Sequence, residues 1–499
     1  MSASRSALMQ AADAVIGLER GVEEAEVLAR AHGFAIGQDG LVNDVAPPQN
    51  VPADQADEIQ RERERIKAEL VDRVEQILRR ANDIDNDLAG VLGKVINGEI
   101  NDGGATDLAS AAAAGAGQGG LSVLEPPPGK GTPGDNAGWW DTLSDAEKKQ
   151  IIEKHPEWIG NRDGVPFGAR DEANRSLLVT EKARLQEEAR RLQADLDDNT
   201  FGGLFTNADA RLDQVREKLD AITAIEKTLA QPGERQLLLL DTSNERAEAA
   251  IANGNVDTAD HVAVFTPGLT SNVPDSMVNY DNDMDQLQFR SEDELSRYGK
   301  DPSVATVTWI GYQAPQWSET IIDENSVTDD YAAKKGAEKL APFLQGIDTA
   351  RDTDAHLTAL GHSYGSTTTG LALRQNTGVD EAVFFGSPGL GTDDLDDLKV
   401  PDGHSTYIEA KWDGVGDLGR FGFDPSHLEG MQHGSSAEAR HPVTDRPLAG
   451  VTGHSAYLQD GSTSQYNMSV VVGGMPDKMV TGNDRGVTDV LSWPIPGTY

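Results

Sequence analysis

The chain has 499 residues and no cysteine; that is more than one ordinary hydrophobic core can organise, so two or more folded units are expected, without disulfides, a thiol nucleophile or a cysteine-ligated metal. Its 83 acidic against 43 basic residues leave a formal charge of −40, which argues against binding to nucleic acid or to anionic membrane. No run of about 18 apolar residues occurs, and the first turns lack a continuous apolar stretch, so neither a membrane span nor a Sec signal is expected and the location read from the sequence is cytoplasmic, with export by a specialised route left open.

In chain order, Leu8, Ala11, Val15, Leu18, Val22, Ala25 and Ala29 recur at threes and fours, an apolar stripe along a first helix that ends near Gly33. Asp39-Gly40 between Phe34-Ala35-Ile36 and Leu41-Val42 suits a small hairpin turn. Ile59, Ile66, Leu70, Val74, Ile77, Ala81, Ile84, Leu88 and Val91 carry the same repeat through a longer, charge-laced helix, and the two helices should pair antiparallel. Residues 1–100 are therefore expected as a helical hairpin, and 101–136, rich in Gly, Ala and Pro, as a linker that buries little surface. Residues 137–232 read as a helical region. Within it Ser144-Asp145-Ala146-Glu147 has the form of a capping box, and Leu177 to Leu196 and Leu212 to Leu229 make a second pair of polar-faced helices.

From 233 to 499 strand-like runs alternate with helical patterns, the signature of an α/β domain with a mostly parallel sheet. The expected strands are Gln236 to Leu240, Val262 to Phe265, Ala305 to Trp309, Leu357 to Leu360, Ala382 to Phe385 and Thr406 to Ala410. Met277, Tyr280, Met284 and Leu287 mark one intervening helix, and Ala333, Ala337, Leu340 and Leu344 another. Asp281-Asn282-Asp283-Met284-Asp285 with Glu292 imitates the spacing of a calcium loop, but Gln286 stands where that loop needs glycine, so a solvated acidic helix face is expected.

The strand at Leu357 runs into Gly361-His362-Ser363-Tyr364-Gly365 with a helix-like segment behind it, the strand–turn–helix setting of a nucleophile elbow. Gly361 and Gly365 let backbones approach, so that the turn can hold Ser363 strained with its hydroxyl exposed. The N–H of Tyr364, at the helix start, is the first oxyanion donor expected. A second belongs in Thr266-Pro267-Gly268-Leu269-Thr270, at the N–H of Leu269 or Thr270. In this arrangement acid and base follow the serine. His404, His427, His433, His441 and His454 all qualify as the base, and His454, in Gly453-His454-Ser455-Ala456-Tyr457, is favoured by its late position before a helix-like segment. Asp413, after the strand Thr406 to Ala410, is the expected acid, with Asp417 as competitor.

These segments, with Trp139-Trp140, Pro156-Glu157-Trp158-Ile159-Gly160-Asn161, Leu239-Leu240-Asp241, Ala259-Asp260-His261-Val262-Ala263-Val264, Trp309-Ile310-Gly311-Tyr312 and Gly422-Phe423-Asp424-Pro425, resemble an α/β-hydrolase family catalogued as a domain of unknown function and common in actinobacteria. The resemblance covers about Trp139 to Val472. It implies an α/β-hydrolase fold with a long helical N-terminal region and a serine nucleophile at Ser363. At the acid this chain departs from the family's usual Asp-Pro, reading Asp413-Gly414. The N-terminal pair is similar to small exported helical-hairpin proteins of actinobacteria but lacks their Trp-x-Gly turn. The expected function is hydrolysis of a carboxylic ester or related acyl bond in a small-molecule or lipid-like substrate through an acyl-enzyme, with Ser363, His454 and Asp413 as the catalytic set and no metal or cofactor implied. The alternative is a non-catalytic scaffold that uses the N-terminal helices to hold a protein partner.

Overall fold

A computed structural model describes residues 1–52, 55–121, 124–198, 208–316, 330–351, 353–415, 421–422 and 424–482. The chain forms two compact units, Met1–Ala169 and Arg170–Tyr499.

In the first unit, helix α1 (Ser2–Ala31) leads through an antiparallel pair, β1 (Phe34–Ile36) and β2 (Val42–Asp44), to the 41-residue helix α2 (Ala56–Ile96), which packs back along α1. The buried stripe of α1 shares Ala11, Ala25 and Ala29 with the expected one and otherwise differs from it. It consists of Ala3, Ala7, Ala11, Ala14, Gly17, Gly21, Ala25 and Ala29, while Leu8, 53% exposed, and the partly exposed Val15 and Val22 face outward. Close approach selects the small residues: a Cβ at Gly17 would lie 2.5–2.6 Å from main-chain atoms of Thr142, Leu143 and Ser144.

The stretch expected as a linker is also structured. Asp107 caps α3 (Leu108–Gln118) by accepting from Ser110 N, and α3 packs on α1, where a Cβ at Gly119 would meet Ala3 O at 2.2 Å. Alanine is the best helix former, and small side chains bring helices close without needing much apolar volume, so a composition read as a spacer here builds the unit. The division of the chain falls at Ala169, not within 101–136. Helices α4 (Pro133–Asp141) and α5 (Asp145–Lys154) follow, each opened by a capping box, the second being Ser144 with Glu147 as the sequence indicates.

Helix α6 (Phe167–Asp198) opens at the boundary and pairs with α7 (Ala208–Leu229). Then come β3 (Arg235–Asp241), β4 (Glu248–Asn253), β5 (His261–Thr266), α8 (Val273–Arg297), β6 (Val304–Ile310), α9 (Tyr331–Thr349), β7 (His356–His362), α10 (Tyr364–Ala372), β8 (Glu381–Phe385), β9 (Ser405–Ile408), β10 (Gln432–Gly434), β11 (Ala439–Arg440), β12 (Pro447–Leu448) and α11 (Thr463–Val472). Among the described residues eight strands form one sheet in the order β10-β9-β8-β7-β5-β6-β4-β3. Only β4 runs against its neighbours in that sheet, Ala250 pairing with both Leu239 and Trp309; the rest is parallel. The expected α/β class with a mostly parallel sheet is therefore found. Two strands of this sheet escaped the sequence reading, because β4 is Ala-rich and buried throughout and β10 spans three residues.

Apolar burial holds the layers. Phe265, Leu360, Phe385 and Ile408 of the sheet pack with Met284 and Leu287 of α8 and Met468 and Val471 of α11. The acidic run on α8 is helical, as expected, yet Asp281 is not solvated: it is fully buried and ion-paired with Arg235 at 3.0 Å. After β5 the chain moves to β6 on one side and returns to β7 on the other. The carboxyl ends of β5 and β7 thus flank a topological switch point, where open α/β sheets place their ligand crevices. No helix among the described residues is long and apolar enough to cross a membrane.

Candidate active site

Strand β7 is buried along Leu357–Gly361 and delivers Ser363 at its carboxyl end. Ser363 has φ 53° and ψ −132°, a conformation that costs a non-glycine residue about 1–3 kcal/mol and has to be held by its surroundings. The hold is visible. Ser363 N–H donates to Phe385 O at 3.1 Å, and Ser366 N–H donates to Ser363 O at 2.9 Å. A Cβ at Gly365 would fall 2.2 Å from Thr266 O, so only glycine lets α10 start against the end of β5.

His454 comes from the irregular segment before α11, and its Nε2 lies 2.8 Å from Ser363 Oγ. Its Nδ1 lies 3.0 Å from each carboxylate oxygen of Asp413. A carboxylate only accepts, so Nδ1 carries the ring proton and Nε2 is left to accept from the serine hydroxyl. Asp413 is 1% exposed in the loop after β9, where Trp412, at φ 66°, turns the chain. Burial pushes the Asp413 carboxyl up, but hydrogen bonds from His454, Tyr457 and Val415 N outweigh it and hold the group below the usual carboxylate range. The Tyr457 hydroxyl donates to Asp413 Oδ2 at 2.5 Å and accepts from Ala410 N at 2.9 Å. Burial, then the neighbouring carboxylate, keep that phenol protonated far above its ordinary range.

The loop after β5 packs directly on Ser363, since a Cβ at Gly268 would lie 2.6 Å from Ser363 Cβ and 2.8 Å from Tyr364 N. Of the two N–H groups expected there, Thr270's is spent on Pro315 O at 2.8 Å, with Thr270 at φ 65°. Leu269 N–H has no hydrogen-bond partner among the described residues. Tyr364 N–H stands at the first position of α10, immediately after the serine.

The other late histidines have other partners. His404 pairs with Glu381 at the opposite end of the strands (2.7 Å), and His441 with Glu294 (2.9 Å); His427 lies 3.9 Å from Asp424, and His433 sits in β10. Asp417 lies outside the described residues. Two site residues carried no assignment from the sequence: Tyr457, whose role needs the fold to bring it to Asp413, and His362, whose Nε2 donates to His454 O at 2.9 Å. Burial, then the nearby His454, push His362 down to about 4.

A family model described as an alpha/beta hydrolase matches residues 242–422. The uncharacterized protein Rv2079 of Mycobacterium tuberculosis is 28% identical over 390 residues, covering 71% of this chain and 58% of its own length, so this chain spans less than two thirds of that relative. The uncharacterized protein Mb0988c of Mycobacterium bovis is 33% identical over 224 residues, which cover 43% of this chain and 82% of its own. Among solved structures, a hyperthermophilic esterase from the archaeon Pyrobaculum calidifontis is similar over 57% of this chain and 97% of its own, at 13% identity and a TM-score of 0.31. The family match, together with a 33% identical relative covered over most of its length, gives the conclusion that the chain belongs to the α/β-hydrolase family.

Proposed function

We propose that the protein is a serine hydrolase that cleaves a carboxylic ester or related acyl bond, in a small-molecule or lipid-like substrate, through an acyl-enzyme. The observation that carries this reading is the continuous hydrogen-bonded chain Ser363 Oγ, His454 Nε2, His454 Nδ1, Asp413 at 2.8 and 3.0 Å, ending on a serine held at φ 53°. In the proposed reaction Ser363 Oγ bonds to the acyl carbon while His454 Nε2 takes its proton. The carbonyl oxygen gains charge against the N–H groups of Tyr364 and Leu269, and the alcohol leaves with the proton from Nε2. Water then attacks the acyl-enzyme, giving its proton to Nε2, and Ser363 recovers that proton as the carboxylic acid departs. Asp413 keeps the imidazole in the required tautomer and stabilises its charged form.

The test is hydrolysis of p-nitrophenyl esters of graded acyl length by the purified chain and by Ser363→Ala. The reading predicts turnover that peaks at some chain length and falls by about four to six orders of magnitude, to the background of the assay, in the variant. Turnover that survives in Ser363→Ala contradicts it.

A further inference from the structure

We infer that His362 is a positioning residue for the base: its Nε2–H, donated to the main-chain carbonyl of His454, pins the backbone of the residue whose ring must meet Ser363. The inference rests on the reading of Ser363, His454 and Asp413 as the reacting set. One turn then grips His454 twice, with Ser363 Oγ at the ring (2.8 Å) and His362 Nε2 at the carbonyl (2.9 Å).

The second grip has a clear purpose. His454 sits in an irregular stretch before α11, and its side chain remains 30% exposed. Apart from its ring contacts, the segment is tied to the acid loop by Gly453 N–H donating to Lys411 O at 2.8 Å. A base that must keep both ring nitrogens within about 3 Å of their partners tolerates little backbone drift, since a displacement of about 1 Å can cost about 100-fold in rate.

His362 is built to hold still. Its ring stacks on Phe385 at 5.1 Å and 22°, with the His454 ring 4.8 Å and the Tyr457 ring 5.9 Å away. Facing a carbonyl, which only accepts, Nε2 must carry the hydrogen. Burial and the adjacent His454 push His362 down to about 4, so it stays neutral through the neutral pH range and places no second cation beside a developing imidazolium.

The experiment compares His362→Phe, which keeps a ring of similar volume and loses the donor, with His362→Gln, whose amide can donate from near the Nε2 position. Saturable labelling by a fluorophosphonate supplies kinact and KI separately without requiring a known substrate, and melting temperatures are taken in parallel. Expected is a fall in kinact of about 10- to 100-fold for His362→Phe, with KI within about threefold, and recovery in His362→Gln of at least half that loss on a logarithmic scale. His362→Leu replaces the Phe variant if the latter does not fold. Labelling of His362→Phe within twofold of wild type, a Gln variant as slow as the Phe variant, or losses that simply follow melting temperature would overturn the inference. Labelling that persists in Ser363→Ala would instead sink the serine reading, and His362's role with it; label that depends on Ser363 but not on the His362 donor sinks the positioning role alone.

Discussion

At the scale of single residues, the site is a set of backbone and side-chain compromises around Ser363. Its strained φ implies a trade between stability and chemistry: Ser363→Gly should raise the unfolding free energy by about 1 kcal/mol or more while abolishing turnover, whereas Ser363→Ala should remove turnover without relieving the strain. Thermal unfolding of the two variants side by side checks this, and a Gly variant no more stable than the Ala variant contradicts it. At the acid, Asp413→Asn should keep the fold, present the wrong imidazole tautomer to the serine and lower turnover by about four orders of magnitude. Tyr457→Phe should be milder, about tenfold in turnover, because it removes one of several hydrogen bonds to Asp413 together with the hydroxyl that accepts from Ala410 N–H. A Tyr457→Phe defect as large as that of Asp413→Asn would mean that the phenol does more than steady the carboxylate.

At the scale of elements, legibility followed the physics of each signal. The elbow could be read because Gly361-His362-Ser363-Tyr364-Gly365 combines a buried strand with two close-approach glycines, and the loop after β5 because Gly268 admits no side chain against Ser363. His454 and Asp413 could be ranked by position only, since what pairs them is a contact across 41 residues of chain. Tyr457 stands at the end of Gly453-His454-Ser455-Ala456-Tyr457 with nothing local to say that its hydroxyl reaches the acid. Strand β4 was invisible for another reason: Glu-Ala-Ala-Ile-Ala-Asn has little β-branched character and is a strand because its neighbours pair with it on both sides. Helix α1 misled because periodicity weights large apolar residues, while the packing there rewards small ones. The consequence is measurable. Gly17→Val would push a side chain into main chain at 2.5–2.6 Å and should destabilise the first unit by about 2 kcal/mol or more, whereas Leu8→Ser, on the outward face, should stay within about 0.5 kcal/mol of wild type. Equal effects in thermal unfolding would contradict the assignment of faces.

At the scale of the whole molecule, two half-buried histidines should make stability depend on pH. His261 and His356 begin β5 and β7 with their rings 5.4 Å apart, and burial, then His261, push His356 down to about 4. A base whose pKa is lower in the folded than in the unfolded chain contributes stability that is complete above the unfolded value, near 6.5, and is lost as pH falls through the folded one. For His356 the loss amounts to about 3 kcal/mol. Two carboxyls act the other way: desolvation raises the buried Asp281 and the half-buried Asp283 to about 6, and a carboxyl raised by folding adds stability as pH falls. The diagnostic quantity is therefore the difference between wild type and His356→Phe, which should move by about 2–3 kcal/mol in favour of the variant between pH 7.5 and 4.5; a pH-independent difference contradicts it. The revised boundary has its own consequence. A chain beginning at Asp135 would strip α1–α3 from α4, whose Gly138 lies so close to α2 that a Cβ would be 2.7 Å from Arg73 Cα, so such a fragment should expose Trp139 and Trp140.

Activation of one hydroxyl in this chain, Ser363, by His454 can be read by fluorophosphonate labelling followed by intact mass and peptide mapping. A single adduct on Ser363 is expected in the wild-type chain, none in Ser363→Ala, and in His454→Ala a labelling rate lower by about three orders of magnitude or more. An adduct on another residue, or equal labelling in Ser363→Ala, would contradict it.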